Sequence, residues 1–301
     1  MIDKSVAIAA LARNCEINLP ANIDRIEELR KHFVSSTIFI YENNSTDNTK
    51  VLLKDWQKKS ESVYLKSEDI DESSYRTKGK IGKLYRGTDE GRIRKMCDCR
   101  NKLIDMIQYH GQYDYVIFMD IDIKKFSVEG IVRSIENAPE DWGALFANCY
   151  VTYWNGNQSI DSHMHYDMFA YLKKGKNLQD IKHNDLNPFK RSYIANRLYH
   201  NICNSSYLEC ESAFGGLGIY KGDMIDGNKY ELFTPVSWGE TNSTLCEHIL
   251  FNIKIKGKKY ISNELKVCYH YFDLKGLKWI MAKHTPLFFY YTGLLKDYIM
   301  N

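Results

Sequence analysis

The chain has 301 residues, 44% of them hydrophobic and 26% charged, with only five prolines. That is enough chain to bury a sizeable core, and the composition is not that of a disordered protein. Lys and Arg number 41 against 38 Asp and Glu, a balance that gives no support to nucleic acid as a main partner. The eight cysteines, at 15, 97, 99, 149, 203, 210, 246 and 268, form no CxxC pair and no zinc-module spacing, so reduced thiols in an intracellular protein are expected.

Elements alternate along the first half. Residues 6–11 are a continuous small apolar run, as for a strand covered on both faces; with Asp3 before it, the run reads as a buried strand and not as a signal peptide. Apolar residues at 19, 23, 26, 29 and 33 fall near helical spacing. Residues 37–41 predict a second strand and 46–58 a second helix, with Val51, Leu52 and Trp56 inward. Residues 60–91 are polar and charged with four glycines and read as a loop. A helix over 93–109 precedes the apolar strand 115–119, which leads straight into Asp120. This strand–helix alternation implies a parallel sheet with right-handed crossovers. Further on, 143–151 reads as a strand, 155–186 as a polar insertion, 247–256 as a helix and 266–271 as a strand. No run reaches the roughly 20 apolar residues of a membrane span. The apolar run 286–295 reads as a packed terminal helix that could also lie on a membrane surface.

Ligands of an open α/β sheet sit beyond the carboxyl ends of the strands, which singles out residues 12–16, 42–47 and 120–122. Ala10 and Arg13 are donor-side candidates at the first strand. Glu42, Asn44 and Asp47 could hydrogen-bond a ribose or base edge, while Ser45 or Thr46 is expected to cap the next helix. Asp120 and Asp122, two apart on an extended chain, would project to one side. Mg²⁺ and Mn²⁺ favour such oxygen ligands and bridge them to a diphosphate. The same triplet at Asp69 and Asp71 lacks a buried strand before it, so the spacing alone means little.

His270, near the end of the last strand, is either a third metal ligand or merely hydrogen-bonded. Arg94 and Arg100 do not share a helix face; Arg100 is expected to reach a carboxylate or diphosphate with its planar fork. Lys80, Lys83, Arg86 and Arg92 are open to anion binding, whereas Lys254, Lys256, Lys258 and Lys259 read as a solvated face. Gly215, Gly216 and Gly218 do not make GxGxxG, because Lys221 stands at the last position; close approach to a sugar suits them better. Glu247 is either a general base toward an acceptor hydroxyl or a first-turn acid against the helix dipole. Trp154, Tyr166, Tyr193, Tyr220 and Trp238 are candidates for sugar stacking.

The order of these features (ARN after the first strand, ENNSTDNT after the second, CRN at 99–101, then YDYVIFMDIDI) resembles the GT-A glycosyltransferases. Within them the chain is most similar to the fungal capsule-associated mannosyltransferase type. The Tyr-Asp-x-Phe segment, Ser-Ala-aromatic-x-Gly loop and Cys-Glu helix of that type are matched at 166–169, 212–216 and 246–249. The resemblance covers most of residues 5–272, and the segments 69–91 and 175–201 have no counterpart in it.

It implies an α/β, Rossmann-like GT-A fold as a single domain with a mixed central sheet: a nucleotide-sugar half over 1–125, an acceptor half over 126–275 and a helical tail over 276–301. It further implies transfer of a hexose from a UDP- or GDP-sugar to a glycan or lipid-linked acceptor, as in polysaccharide biosynthesis. Asp120, Asp122 and His270 would hold Mn²⁺ or Mg²⁺, Arg100 and Asp120 would face the donor, and Trp154, Asp167, Gly215, Gly216 and Trp238 the acceptor. A sugar nucleotidyltransferase would want a Gly-rich basic loop at 12–16, which is lacking. A carbohydrate-binding protein with a decayed site would not need the Asp120/Asp122 pair. A cytoplasmic protein, at most peripheral on a membrane, is expected.

Overall fold

The computed structural model describes residues 1–77, 89–181, 188–239 and 243–273, with the main chain alone at 188–192. Strands β1 (Ile2–Ala12), β2 (Phe33–Asn43), β3 (Val63–Glu68) and β4 (Tyr115–Asp120) are parallel in the order β3-β2-β1-β4. Helices α1 (Leu19–Arg30), α2 (Thr49–Lys59) and α3 (Glu90–His110) lie between them in sequence. The apolar run of β1 is continuous because both faces are covered. Ile8 and Ala10 pack with Leu19, Ile26 and Leu29 of α1 and with Leu53 and Trp56 of α2. Ala7 and Ala9 pack with Ile93, Leu103 and Ile107 of α3.

The second half adds β5 (Lys125–Phe126), α4 (Val128–Glu136), β6 (Trp142–Trp154), β7 (Ser159–Asp161), β8 (Leu172–Lys173), α5 (Pro188–Cys203), β9 (Tyr207–Ser212), β10 (Leu217–Lys221), α6 (Gly222–Ile225), α7 (Glu247–Lys254) and β11 (Lys258–Asp273). The sheet continues from β4 as β10-β6-β11-β9-β8. β10 is antiparallel to both β4 and β6, while β6 and β11 run parallel. The architecture is therefore α/β with a mixed central sheet.

Several local expectations change. β3 lies inside the stretch read as a loop: it is an edge strand with Val63 buried and its next four residues at least partly exposed, so it lacks the apolar run of a central strand. The glycine run at 212–220 is a tight turn over 213–216 followed by β10, in which Tyr220 is buried and donates to Asn252 Oδ1 at 2.8 Å. The first helix ends at Arg30 because Phe33 already belongs to β2 and its core. In α2, Val51 faces outward and Leu53 takes the inward place. Its first N–H, at Thr49, is accepted by Asp47 Oδ1 at 3.0 Å. The Ser45 hydroxyl instead accepts from the Asn14 N–H and the Thr46 hydroxyl donates to the Asn14 side-chain oxygen, so neither is the cap.

The tail 276–301 and the basic residues Lys80, Lys83 and Arg86 lie outside the described residues. Among the described residues, no helix is long and apolar enough to cross a membrane. All eight cysteines are free thiols.

Leu11 is in register with Asp120, and Ala12 with Glu42, so the carboxyl ends of three parallel strands share one rim. At the opposite rim a cleft of about 490 Å³ is lined by residues that include Lys4, Asp114, Tyr115 and Lys221. It contains none of the candidate site residues.

Candidate active site

Asp120 ends β4, and its N–H donates to the Gly216 carbonyl at 2.9 Å. Its Oδ1 accepts from Arg100 Nη2 at 3.3 Å and its Oδ2 from the Tyr269 hydroxyl at 3.0 Å. Arg100, with 3% of its side chain exposed, also donates through Nε to Glu247 Oε1 at 3.1 Å. The guanidinium carbon lies 5.1 Å from the centre of the Phe214 ring and 5.8 Å from that of Tyr230, a setting that favours a delocalised cation. One buried guanidinium thus joins α3, β4 and α7.

Burial raises the Asp120 carboxyl, and Asp122 adds to that; Arg100 pulls the other way, and the result is about 6. At Glu247 burial is outweighed by His248, Arg100 and Arg92, and the carboxyl is lowered to about 2. His248 is itself held well below its usual range by burial and by Arg100, so it is neutral. The cation that keeps Glu247 ionised is therefore Arg100, helped by the start of α7. A carboxylate held ionised by Arg100 and already bonded to it is a weak base at neutral pH. What the geometry shows of Glu247 is its pairing with Arg100.

Asp122 lies in a turn closed by Ile123 N–H on the Asp120 carbonyl at 3.4 Å. The triplet is thus a turn and not an extended segment; Ile121 and Ile123 on either side are fully buried while Asp122 is exposed. Asn22 of α1 pegs this turn, donating Nδ2 to the carbonyls of Ile121 (2.8 Å) and Ile123 (2.7 Å). Arg25 orients that amide through its oxygen at 2.9 Å, and Asn18 donates to the Asp122 carbonyl at 2.7 Å. The carboxyl of Asp122 is also raised by the protein packed around it, an effect that its contact with water moderates.

Asp167 accepts from Gly215 N–H at 3.1 Å and Ala170 N–H at 3.3 Å. Burial raises its carboxyl, as do Asp120 and Glu247, against the pull of those two N–H donors. Gly215 and Gly216 have φ of 66° and 81°, in the region that favours glycine. A Cβ on Gly215 would stand 2.6 Å from the Ala147 carbonyl, and one on Gly216 would stand 3.0 Å from Ile123 and 3.1 Å from the Tyr269 ring. The packing of this turn against its own chain already requires both glycines.

The donor-side loops are interlocked. Glu42 is fully buried, with one oxygen accepting from Ser45 N–H at 2.8 Å and the other from the Ser67 hydroxyl. Asn44, at φ 54°, exchanges hydrogen bonds with the main chain of Ile70. Asp47 accepts from Glu16 and Thr49 N–H groups. These side chains shape the loops and have their acceptors already engaged. Ala10 is in the core, in register with Ile40 and Met119, and not at the rim. Arg13 is exposed and paired with Glu72. Asp69 pairs with Lys50, and Asp71 caps the 3₁₀ turn Glu72–Tyr75, so the second triplet has structural work of its own.

Three expected residues stand apart. Trp154 ends β6, five residues and ~17 Å of strand beyond Cys149, the residue that packs on Gly215. Trp238 donates to the Ile181 carbonyl at 3.1 Å and packs with Leu172, Leu245 and Ile249. His270 packs edge-on to Tyr269 (4.9 Å) and Tyr166 (6.0 Å). Among the described residues, His270 included, no three His, Cys, Asp or Glu side chains are grouped closely enough to hold an ion. The neighbour of His270, Tyr269, is the residue that reaches Asp120. β11 is irregular between Cys268 and Tyr271, so strict alternation does not carry through Tyr269 and His270. Asn22 left a signal, as an amide three residues after Leu19 on the apolar stripe of α1.

Two carboxylates suffice for a divalent cation that takes its other oxygens from a diphosphate and water. Asp120 remains raised despite Arg100; the pair is short of positive charge, and it fits such an ion.

Over residues 5–231 the chain matches the family described as Cryptococcal mannosyltransferase 1. It belongs to that family, and its α/β sheet is mixed. No curated protein matches it. Among solved structures it is similar to residues 1–349 of TarS from S. aureus, at 11% identity over 89% of this chain and 60% of that one, TM-score 0.43. It is also similar to the mannosyltransferase PcManGT from Pyrobaculum calidifontis, solved with GDP-Man and Mn²⁺, at 11% identity over 99% and 66%, TM-score 0.44. The TarS complex with UDP-GlcNAc gives 12% identity over 90% and 59%, TM-score 0.44. The chain thus spans 60% of the length of the first structure and 66% of the second, and likenesses at these scores say nothing about its substrate.

Proposed function

We propose that this protein transfers a hexose from a UDP- or GDP-sugar to a hydroxyl of a glycan or lipid-linked saccharide, with Mn²⁺ or Mg²⁺ at Asp120 and Asp122. The observation that carries the proposal is the acid-rich cluster at the carboxyl end of β4, in which Asp120 and Glu247 are held by the buried Arg100. Membership of a family described as a mannosyltransferase supports it.

Asp120 and Asp122 would hold the ion, which when bound supplies positive charge to a leaving nucleoside diphosphate. Arg100 fixes the Asp120 carboxylate and favours its ionised form. Glu247, ionised, keeps Arg100 in place. Asp167, raised by burial and by its acidic neighbours, suits the removal of a proton from an acceptor hydroxyl better than Glu247 does. Tyr166 is exposed and its ring lies 4.9 Å from that of Tyr269, which offers a surface for a sugar ring. The reading places the protein in the cytoplasm, at most on a membrane surface, which cell fractionation tests.

A panel of UDP- and GDP-sugars, GDP-mannose first, assayed with Mn²⁺ or Mg²⁺ for donor hydrolysis and thermal stabilisation, tests the proposal. Metal-dependent stabilisation by one nucleotide series is expected; no response to any donor would refute it. Asp167→Asn is expected to slow transfer by about 10²–10⁴-fold, the range of general-base catalysis, while leaving nucleotide affinity unchanged.

A further inference from the structure

Two cations converge on a single carboxylate oxygen beside the donor-side loops. Arg13 Nη1 and Lys95 Nζ both donate to Glu72 Oε1, at 2.5 and 3.0 Å. Leu11 is in register with Asp120, so Arg13 leaves β1 two residues beyond the level of the acidic cluster. Lys95 stands on α3 five residues before Arg100, about 7.5 Å along the helix axis. Glu72 opens the 3₁₀ turn Glu72–Tyr75 that follows β3.

The segment carrying Glu72 is fastened across the carboxyl rim of the parallel strands by contacts that do not involve its carboxylate. Asp69 pairs with Lys50 of α2 at 2.6 Å, and the Ile70 main chain exchanges two hydrogen bonds with the Asn44 side chain. The Tyr75 hydroxyl donates to Asp98 of α3 at 2.8 Å, and Thr77 Oγ1 accepts from Gly91 N–H at 3.1 Å. The segment can therefore stay in place when the Glu72 side chain turns away. Two cations against one carboxylate leave a local surplus of one positive charge. Planar guanidinium and ammonium groups aimed at one oxygen form a geometry that an anionic phosphate oxygen also satisfies. Partly exposed ion pairs are weak enough to exchange; the side chains of Arg13, Glu72 and Lys95 are 40%, 37% and 19% exposed.

We propose that Arg13 and Lys95 form a subsite for a phosphate of the nucleoside diphosphate, and that Glu72 plugs it until the donor displaces its carboxylate. The inference rests on the nucleotide-sugar reading above and adds to it a residue, Lys95, and an internal competitor.

Calorimetric titration of UDP and GDP with Mn²⁺ into the full chain, its Glu72→Gln and Lys95→Met variants and the double variant provides the test. Glu72→Gln should bind the preferred nucleotide about two- to fivefold more tightly, the scale of a partly exposed ion pair. Lys95→Met should bind it more weakly by a similar factor, and the double variant should lose the gain. Binding seen only after Glu72→Gln supports the plug. Unchanged or weaker binding by Glu72→Gln, with the unmodified chain still binding, overturns the plug and leaves the transferase reading standing. No binding by any form overturns both. Should Glu72→Gln melt early, an unchanged affinity in Lys95→Met overturns the subsite by itself.

Discussion

Arg100 is the residue on which the cluster depends. Its guanidinium is shared between Asp120 and Glu247 inside the protein, and a buried carboxylate that loses its cation is costly. Arg100→Met is expected to lower stability by about 3–5 kcal/mol, the usual penalty for removing one partner of a buried pair, as read from urea unfolding. A loss below about 1 kcal/mol would mean that water reaches both acids. Gly215→Ala is expected to cost about 2 kcal/mol or more, since a positive φ and a backbone clash act together; an unchanged midpoint would contradict the packing at Ala147. Asp120 was legible in the sequence because a buried strand runs into it. Glu42 was not, because a glutamate that shapes a loop and one that binds a ribose look alike. Its second oxygen is taken by Ser67, 25 residues away, which no local pattern shows. His270 and Tyr269 lie in the irregular part of β11, where no strand phase read from the sequence tells which of them reaches Asp120.

At the scale of elements, α1 holds the turn after β4. Asn22→Ala would leave the buried carbonyls of Ile121 and Ile123 without their donor, at about 1–3 kcal/mol. It should also weaken metal-dependent donor binding although Asn22 touches neither ligand; unchanged binding would show that the turn holds its shape without the peg. At the opposite rim, Asp114 joins the start of β1 to β4 through the Ser5 N–H and hydroxyl, both at 2.8 Å, and through Lys4. These donors lower its carboxyl to about 2. Because the folded value lies below the ordinary one, the stabilisation is present above about pH 4 and is lost as pH falls toward 2. The melting-temperature gap between the natural chain and Asp114→Asn should therefore close over that interval. It should be small throughout, since the carboxylate is 38% exposed. A gap independent of pH would contradict this origin. The central strands β1, β2 and β4 could be read from the sequence because burial on both faces makes their middle segments continuous apolar runs. The edge strand β3 and the short β9 and β10 alternate or carry glycine, and they escaped the same criterion.

For the whole molecule, the local order of strand and helix predicts the parallel half. The insertion of β10 between β4 and β6 brings together residues about a hundred positions apart, and no periodicity encodes that pairing. Yet it is this pairing that sets Gly216 against Asp120 and, through the same turn, Gly215 against Asp167. The acceptor-side geometry is thus a product of long-range sheet order, whereas the donor-side geometry follows from successive strand ends. The central claim is that Asp120 and Asp122 hold a divalent ion together with a nucleoside diphosphate. The most direct measurement is the affinity for UDP and GDP, with and without Mn²⁺, of the natural chain and of Asp122→Ala. Asp122 is exposed and contributes to the fold through its carbonyl, so the variant should keep its melting temperature. The account predicts that Mn²⁺ strengthens binding of one nucleotide to the natural chain and that the variant loses this effect. Equal enhancement by Mn²⁺ in both proteins, or none in either, would contradict it.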